Sequence, residues 1–215
     1  MKNSSNLWIC CNARTGSNYL CELLNNLHKF EVYKDNKAFA EWIRWLNKEE
    51  FLRKPPLNAK MIFEQFNKIL PNTTASDIKN IMPNIKFVYL KRNNTLEHLS
   101  SLYFARFTGA YYLSNKNQLE WYYNLPVKFY PILIKTLYEE IIEYQNNWNN
   151  FLTEDYLTIE YEDLIENPQK TIEKIAEYCE IRAEIKLESS LVKMTRPELS
   201  NFIAYAKQVL FKKVL

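Results

Sequence analysis

The chain has 215 residues, a length typical of one domain with a substantial buried core. Hydrophobic residues make up 47% and charged residues 25%, which is the composition of an ordinary globular protein. The net charge of +3 suits a small anionic ligand and is too low to indicate nucleic-acid binding. A polar N-terminus, and no run of about 18 apolar residues, argue against a signal peptide and a membrane span, so we expect a cytoplasmic location.

Scarce residue types limit the kinds of site that the chain can form. The two histidines exclude a histidine-rich metal centre, and the four cysteines have neither CxxC nor zinc spacing, so we expect buried free thiols. Only two glycines are present, Gly16 and Gly109. In such a sequence we expect each glycine to sit where nothing larger fits.

Predicted strands and helices alternate along the chain. The apolar run Leu7–Cys11 predicts a buried strand, and leucines at helical spacing after Ser17 predict a helix. Further strands are predicted at 59–63, 85–90 and 156–161, and further helices at 36–56, 74–82, 96–106, 130–151 and 168–178. This order predicts a single α/β domain over residues 1–215, with three α/β/α layers, a central, mostly parallel sheet and ligands at the carboxyl ends of its strands.

The first anion site is predicted at 12–18, in the loop that joins the first strand to the first helix. A helix N-terminus offers unpaired N–H groups and a partial positive charge, and Gly16 would let the backbone close around an anion. Arg14, Thr15 and Ser17 would add side-chain donors. The alternative is an ordinary turn in which Ser17 is the N-cap. The loop is P-loop-like but lacks the lysine of a Walker A motif, which argues against a magnesium-dependent kinase.

The second anion site is predicted after the strand at 85–90. Arg92 follows this strand, and Ser100 and Ser101 lie about two helical turns later. Arg92 and one of these serines could converge on a second phosphate. The alternative is a solvated arginine at a strand end.

Together the two loops resemble those of sulfotransferases that use 3′-phosphoadenosine 5′-phosphosulfate, and most closely the trehalose 2-sulfotransferase type. The resemblance covers roughly residues 7–205, with its blocks in the same order. It is carried by these segments: 13–17, 20–24, 58–65, 87–92, 101–103, 108–109, Trp148, 161–164 and the helix from Pro168. The chain departs from the family at Ala13, where proline is usual, and at Asn94, where aspartate is usual.

The resemblance implies sulfuryl transfer from this donor to a hydroxyl of a carbohydrate or other small molecule, with no metal and with a possible homodimer. It implies that Arg14 clamps the leaving oxygen and that the 5′-phosphate is held by the loop residues Thr15, Gly16, Ser17, Asn18 and Tyr19. It assigns the 3′-phosphate to Arg92 with Ser100 or Ser101, and Arg196 could reach the donor from the C-terminal segment. The general base is expected at Asp35, with Glu31 and Glu41 as alternatives.

Two other functions are compatible with the sequence. A non-catalytic domain would bind adenosine 3′,5′-bisphosphate without turnover, and a P-loop nucleotide kinase would require magnesium. The sequence does not identify the acceptor.

Overall fold

A computed structural model describes residues 6–25, 49, 53, 58–111, 116–153, 155–181 and 194–211. The chain divides into two compact units. The first unit comprises residues 1–91 and 144–189, and the second comprises 92–143 and 190–215. The single domain predicted over residues 1–215 stays a prediction.

The first unit contains a four-stranded parallel sheet. Its strands are β1 (Asn6–Cys11), β2 (Ala59–Ile62), β3 (Ile85–Lys91) and β4 (Tyr156–Glu160), in the spatial order β2-β1-β3-β4. All three pairings are parallel, and Cys11 at the end of β1 is level with Ile62 and Leu90. The predicted α/β fold with a parallel sheet is thereby confirmed. Two predicted strands end one residue early, because Phe63 and Tyr161 already begin helices.

Helices cover both faces of this sheet. Side chains of β1 alternate between two hydrophobic clusters, because successive strand residues point to opposite faces. One cluster packs α1 (Ser17–Asn25), α7 (Tyr161–Glu166) and α8 (Pro168–Tyr178), and the other packs α2 (Phe63–Ile69), α3 (Ala75–Ile81) and the end of α6 (Pro131–Phe151). The first unit is therefore three-layered, with the α/β/α arrangement that was predicted.

The second unit is helical. Among its described residues are α4 (Thr95–Thr108), α5 (Lys116–Asn124), the first part of α6 and α9 (Leu199–Phe211). Aromatic packing joins α4 to α9, since the Phe202 ring lies 4.9 Å from that of Tyr103 and 5.3 Å from that of Phe104. Helix α4 begins at an Asn94 side-chain cap and ends at Gly109, which has a left-handed φ of 73°.

The cysteines have the environment expected from the sequence, and one of the two glycines does not. All four cysteines are buried free thiols, as predicted. Gly109 departs from the expectation that nothing larger fits, because no atom lies within 4 Å of a Cβ built there, and its left-handed backbone is the reason for glycine. Of the predicted helix at 36–56, the structure describes Glu49 and Arg53, both helical. Within the described residues, every helix is too short or too polar to cross a membrane.

Candidate functional site

The predicted first anion loop leaves the sheet at the end of β1, the strand that lies between β2 and β3. In parallel sheets ligands bind at the carboxyl end of the strands, where the strand order reverses. The indole N–H of Trp148 donates a hydrogen bond to the Cys11 carbonyl at 3.0 Å, and Trp148 is fully buried. This contact fixes the point from which the loop starts.

The loop turns through two residues with left-handed backbone. Arg14 has a φ of 67° and Gly16 a φ of 83°, and the Thr15 hydroxyl donates to the Asn12 carbonyl at 2.9 Å. Left-handed backbone is uncommon for a residue with a side chain and costs about 1–3 kcal/mol. Such strain is concentrated at functional sites, so its presence at Arg14 favours a role for this loop in binding.

Gly16 lies against an aromatic ring. A Cβ at this position would stand 2.5 Å from Cδ2 and 2.8 Å from Cε2 of Tyr161, the first residue of α7. The expectation that nothing larger fits is therefore confirmed at Gly16. The Tyr161 ring and the left-handed backbone together fix the shape of the loop.

Helix α1 begins with its N–H groups at this loop. The Leu20 N–H donates to the Gly16 carbonyl at 3.0 Å, so Gly16 is the N-cap and Ser17 is the first helical residue. Helix geometry leaves the N–H groups of Ser17, Asn18 and Tyr19 without an intrahelical acceptor. With the partial positive charge of the helix end, these three groups form the kind of site that binds a phosphate or sulfate group.

The loop also encloses a polar atom that lacks a partner. Asn12 is buried, and no hydrogen-bond donor among the described residues reaches its Oδ1. Buried polar atoms are nearly always hydrogen bonded in native proteins. A buried acceptor of this kind fits a loop that completes its hydrogen bonds with a polar ligand or with water.

Lys60 adds a positive charge that the sequence analysis did not assign to the site. It lies on β2, and its Nζ donates a hydrogen bond to Oδ1 of Asn18 in the first turn of α1. A cation at the positive end of a helix is unfavourable unless an anion is also present. Lys60 is the polar residue of the short strand Ala59–Ile62, and this was the one sequence feature that could have identified it.

Two buried thiols lie close to this ammonium. Burial raises the pKa of Cys21 to about 12, and the positive charge of Lys60 lowers it by a smaller amount. Burial likewise raises the pKa of Cys11, again against a smaller lowering by Lys60. Both cysteines are therefore neutral thiols at physiological pH, and neither offers an anion that neutralises Lys60.

The predicted second anion site lies in the second unit. Arg92 is the residue after β3, and its Nη2 donates to Oε2 of Glu97 at 2.9 Å. The Ser100 hydroxyl donates to the main-chain carbonyl of the same Glu97 at 2.9 Å. Arg92 and Ser100 are thus brought to one residue, and Ser101 is the next position on α4.

Arg196 makes extensive hydrogen bonds within the second unit. Its side chain is fully buried and donates to the carbonyls of Tyr122, Tyr123 and Leu125 and to both carboxylate oxygens of Glu198. Hydrogen bonding to Arg196 lowers the pKa of Glu198. The guanidinium therefore ties the C-terminal end of α5 to the residues just before α9. The predicted contact of Arg196 with the donor stays a prediction.

Predicted residues for the remaining chemistry lie outside the described residues. These are Asp35, the expected general base, and its alternatives Glu31 and Glu41. In the described part of the chain, no group of three or more His, Cys, Asp or Glu side chains is placed to hold a metal ion.

A family model described as "Sulfotransferase domain" matches residues 4–212, and no curated protein matches the chain. Similar solved structures include a sulfotransferase from Alicyclobacillus acidocaldarius, at 13% identity over 96% of this chain and 94% of that one, with a TM-score of 0.48. Mouse sulfotransferase SULT7A1 complexed with PAP has 14% identity over 95% of this chain and 64% of that one, with a TM-score of 0.47. The sulfotransferase domain of the Synechococcus PCC 7002 olefin synthase has 13% identity over 97% and 88% of the two chains, with a TM-score of 0.44.

Proposed function

The chain belongs to the sulfotransferase domain family, and on that premise we propose that it moves a sulfuryl group from 3′-phosphoadenosine 5′-phosphosulfate to a hydroxyl of a carbohydrate or other small molecule. One observation carries the proposal. The strained loop at 12–16 presents the N-terminus of α1 beside the ammonium of Lys60, and among the described residues Lys60 forms no ion pair with a carboxylate. Such an arrangement stabilises a multiply charged anion.

In this proposal the 5′-phosphosulfate lies at the loop. The N–H groups of Ser17, Asn18 and Tyr19 would bind its 5′-phosphate, while Gly16 lets the backbone approach closely. Arg14 would clamp the bridging and leaving oxygens, because its planar guanidinium can donate to two oxygens at once. Lys60 adds a point charge to the same group of oxygens.

The 3′-phosphate of the donor is assigned to Arg92 and Ser100. We choose Ser100 over Ser101 because the hydroxyl of Ser100 and the guanidinium of Arg92 both contact Glu97. A site for this phosphate distinguishes the donor from adenosine 5′-phosphate and from ATP.

The reaction needs positioning, charge neutralisation and one proton transfer. The acceptor oxygen attacks sulfur, the bond from sulfur to the bridging phosphate oxygen breaks, and adenosine 3′,5′-bisphosphate leaves with the electron pair. Positive charge at Arg14 and Lys60 stabilises the developing charge on the leaving oxygen. Asp35 is the proposed base that takes the acceptor proton, with Glu31 and Glu41 as alternatives, a step worth about 10²–10⁴-fold.

The test is transfer of radioactive sulfur from the donor to a panel of sugars, phenols and alcohols. We expect metal-independent transfer to at least one hydroxyl acceptor, and we expect Arg14→Ala to lower turnover by about 10²–10³-fold, the range for loss of one donor to a developing oxyanion. Near-normal turnover of Arg14→Ala would remove this residue from the mechanism. Tight binding of adenosine 3′,5′-bisphosphate with no transfer to any acceptor indicates a non-catalytic nucleotide-binding domain, and a magnesium requirement with ATP indicates a kinase.

A further inference from the structure

Glu97 holds both side chains that we assign to the 3′-phosphate. Its carboxylate accepts from Arg92 Nη2 at 2.9 Å, and its main-chain carbonyl accepts from the Ser100 hydroxyl at 2.9 Å. Its own N–H donates to the Asn94 side chain at 3.1 Å, so its backbone is fixed in the first turn of α4. The Glu97 carboxylate therefore occupies the Arg92 guanidinium, which the proposed 3′-phosphate needs as a hydrogen-bond donor.

The two partners of this ion pair differ in their access to water. The side chain of Arg92 is 11% exposed and that of Glu97 is 41% exposed. The guanidinium is thus the more enclosed partner, and the carboxylate is the partner that can turn into solvent with less loss of packing. If a phosphate replaces the carboxylate as the acceptor of the Arg92 guanidinium, we therefore expect Glu97 to move and Arg92 to stay.

A phosphate and the Glu97 carboxylate compete for the same guanidinium. Both are anions that bind the planar N–H fork of arginine, and both at once would place like charges a few ångströms apart. The carboxylate also cancels much of the positive charge that Arg92 would offer to a phosphate.

We propose that Glu97 is an internal competitor for the 3′-phosphate, which occupies Arg92 in the free protein and is displaced when the nucleotide binds. The inference rests on the proposed function, because it takes Arg92 as the 3′-phosphate ligand. The competition limits the affinity for the donor and equally for the product, since both carry the 3′-phosphate. Glu97 therefore favours release of adenosine 3′,5′-bisphosphate after transfer, a step that limits turnover in many enzymes.

The experiment measures binding of adenosine 3′,5′-bisphosphate and of adenosine 5′-phosphate by titration calorimetry. Glu97→Gln keeps the size of the side chain and removes its charge, and Glu139→Gln is the matched control, an exposed residue of α6 in the same unit. We expect Glu97→Gln to tighten the bisphosphate about two- to fivefold, the range for loss of a partly exposed charge pair. Binding of the 5′-phosphate should not change, and Glu139→Gln should change neither ligand.

A double-mutant cycle separates direct competition from a general change in charge or folding. In an Arg92→Gln background the effect of Glu97→Gln on bisphosphate affinity should disappear, because the contested guanidinium is gone. Melting curves of all variants show that each is folded at the temperature of the titration.

Two outcomes overturn the inference in distinguishable ways. If the wild-type protein binds the bisphosphate no more tightly than the 5′-phosphate, the proposed 3′-phosphate site fails and the inference fails with it. If the wild-type protein prefers the bisphosphate but Glu97→Gln leaves its affinity unchanged or weaker, the site stands and the inference alone fails, since Glu97 then orients Arg92.

Discussion

The two glycines have left-handed backbone for different physical reasons, and this difference can be measured. Gly16 and Gly109 have φ values of 83° and 73°, but only Gly16 has a neighbour, the Tyr161 ring, within 4 Å of a built Cβ. Alanine at Gly109 should therefore cost only the left-handed conformation, about 1–2 kcal/mol. Alanine at Gly16 should cost a further 1–3 kcal/mol or so, because the loop and the ring must move apart.

Urea unfolding of the two alanine variants tests this difference. Equal losses of unfolding free energy would show that the Tyr161 ring gives way without cost. In a Tyr161→Ala background, Gly16→Ala should cost no more than Gly109→Ala does in the wild-type protein, because only the backbone strain remains. A persistent excess cost would show that another part of the loop opposes the side chain.

Arg196 and Glu198 give stability that depends on pH. Hydrogen bonding to Arg196 lowers the pKa of Glu198 in the folded state. A lowered folded-state pKa stabilises the protein above the unfolded pKa, which is about 4.3 for glutamate, and the stabilisation is lost as the pH falls through the folded-state pKa. Because the Glu198 side chain is 35% exposed, solvent screening limits the effect of the pair to about 1 kcal/mol.

Glu198→Gln should therefore lower the unfolding free energy by up to about 1 kcal/mol at pH 7 and by progressively less in acid. Urea unfolding at a series of pH values measures this, with the exposed Glu139→Gln as the control for a change in net charge. A loss for Glu198→Gln that is the same at pH 7 and in acid would mean that packing, and not the charge, is responsible.

At the scale of elements, helix α4 depends on a cap at the residue where the chain departs from the resembling family. Asn94 Oδ1 accepts from the Glu97 N–H at 3.1 Å, which is the role that aspartate also performs at a helix start. We expect Asn94→Ala to lower the unfolding free energy by about 1 kcal/mol, whereas Asn94→Asp keeps the cap and adds a charge favourable to the helix dipole. Thermal unfolding measures both, and an unchanged melting temperature for Asn94→Ala would show that the cap contributes nothing.

The strands and helices that could be predicted from sequence are those whose first residues carry a recognisable signal. The buried strands stand out as apolar runs, and α4 and α8 begin at the side-chain caps Asn94 and Asn167. Helices α2 and α7 were missed because each begins directly after a strand, and their N-cap residues Ile62 and Glu160 make no side-chain capping bond. No capping Ser, Thr, Asp or Asn therefore separates strand from helix at these two places.

The candidate site likewise has a part that could be predicted from the sequence and a part that could not. The loop at 12–18 could be predicted because a glycine and hydroxyl residues between a strand and a helix indicate an anion site. The contact from Lys60 to Asn18 joins residues 42 positions apart, and only the pairing of β1 with β2 brings them together. The Arg92–Glu97 pair spans a strand end and a helix start, and no helical spacing rule applies across that junction.

At the scale of the whole molecule, a net charge of +3 is modest, so binding of the proposed anionic donor would depend on local charge and not on the field of the protein. The local charges named above are Arg14, Lys60 and Arg92 with the N-terminus of α1. In the proposed function, a nucleotide with both a 5′- and a 3′-phosphate would use all of them, whereas adenosine 5′-phosphate would use only those at the loop.

Ligand binding to the folded state should therefore raise the melting temperature in a definite order. Adenosine 3′,5′-bisphosphate at 100 times its dissociation constant adds about 2.7 kcal/mol to the unfolding free energy. In a protein of 215 residues this is a rise of roughly 5–10 °C, since each kcal/mol moves the midpoint by about 2–4 °C. At the same concentration adenosine 5′-phosphate should give a smaller rise in melting temperature, because it lacks the group that Arg92 and Ser100 would bind.

Magnesium ATP should also give a smaller rise in melting temperature than the bisphosphate. A larger rise with magnesium ATP than with the bisphosphate would contradict the assigned donor and favour a kinase, because a ligand raises the midpoint in proportion to the logarithm of its concentration over its dissociation constant.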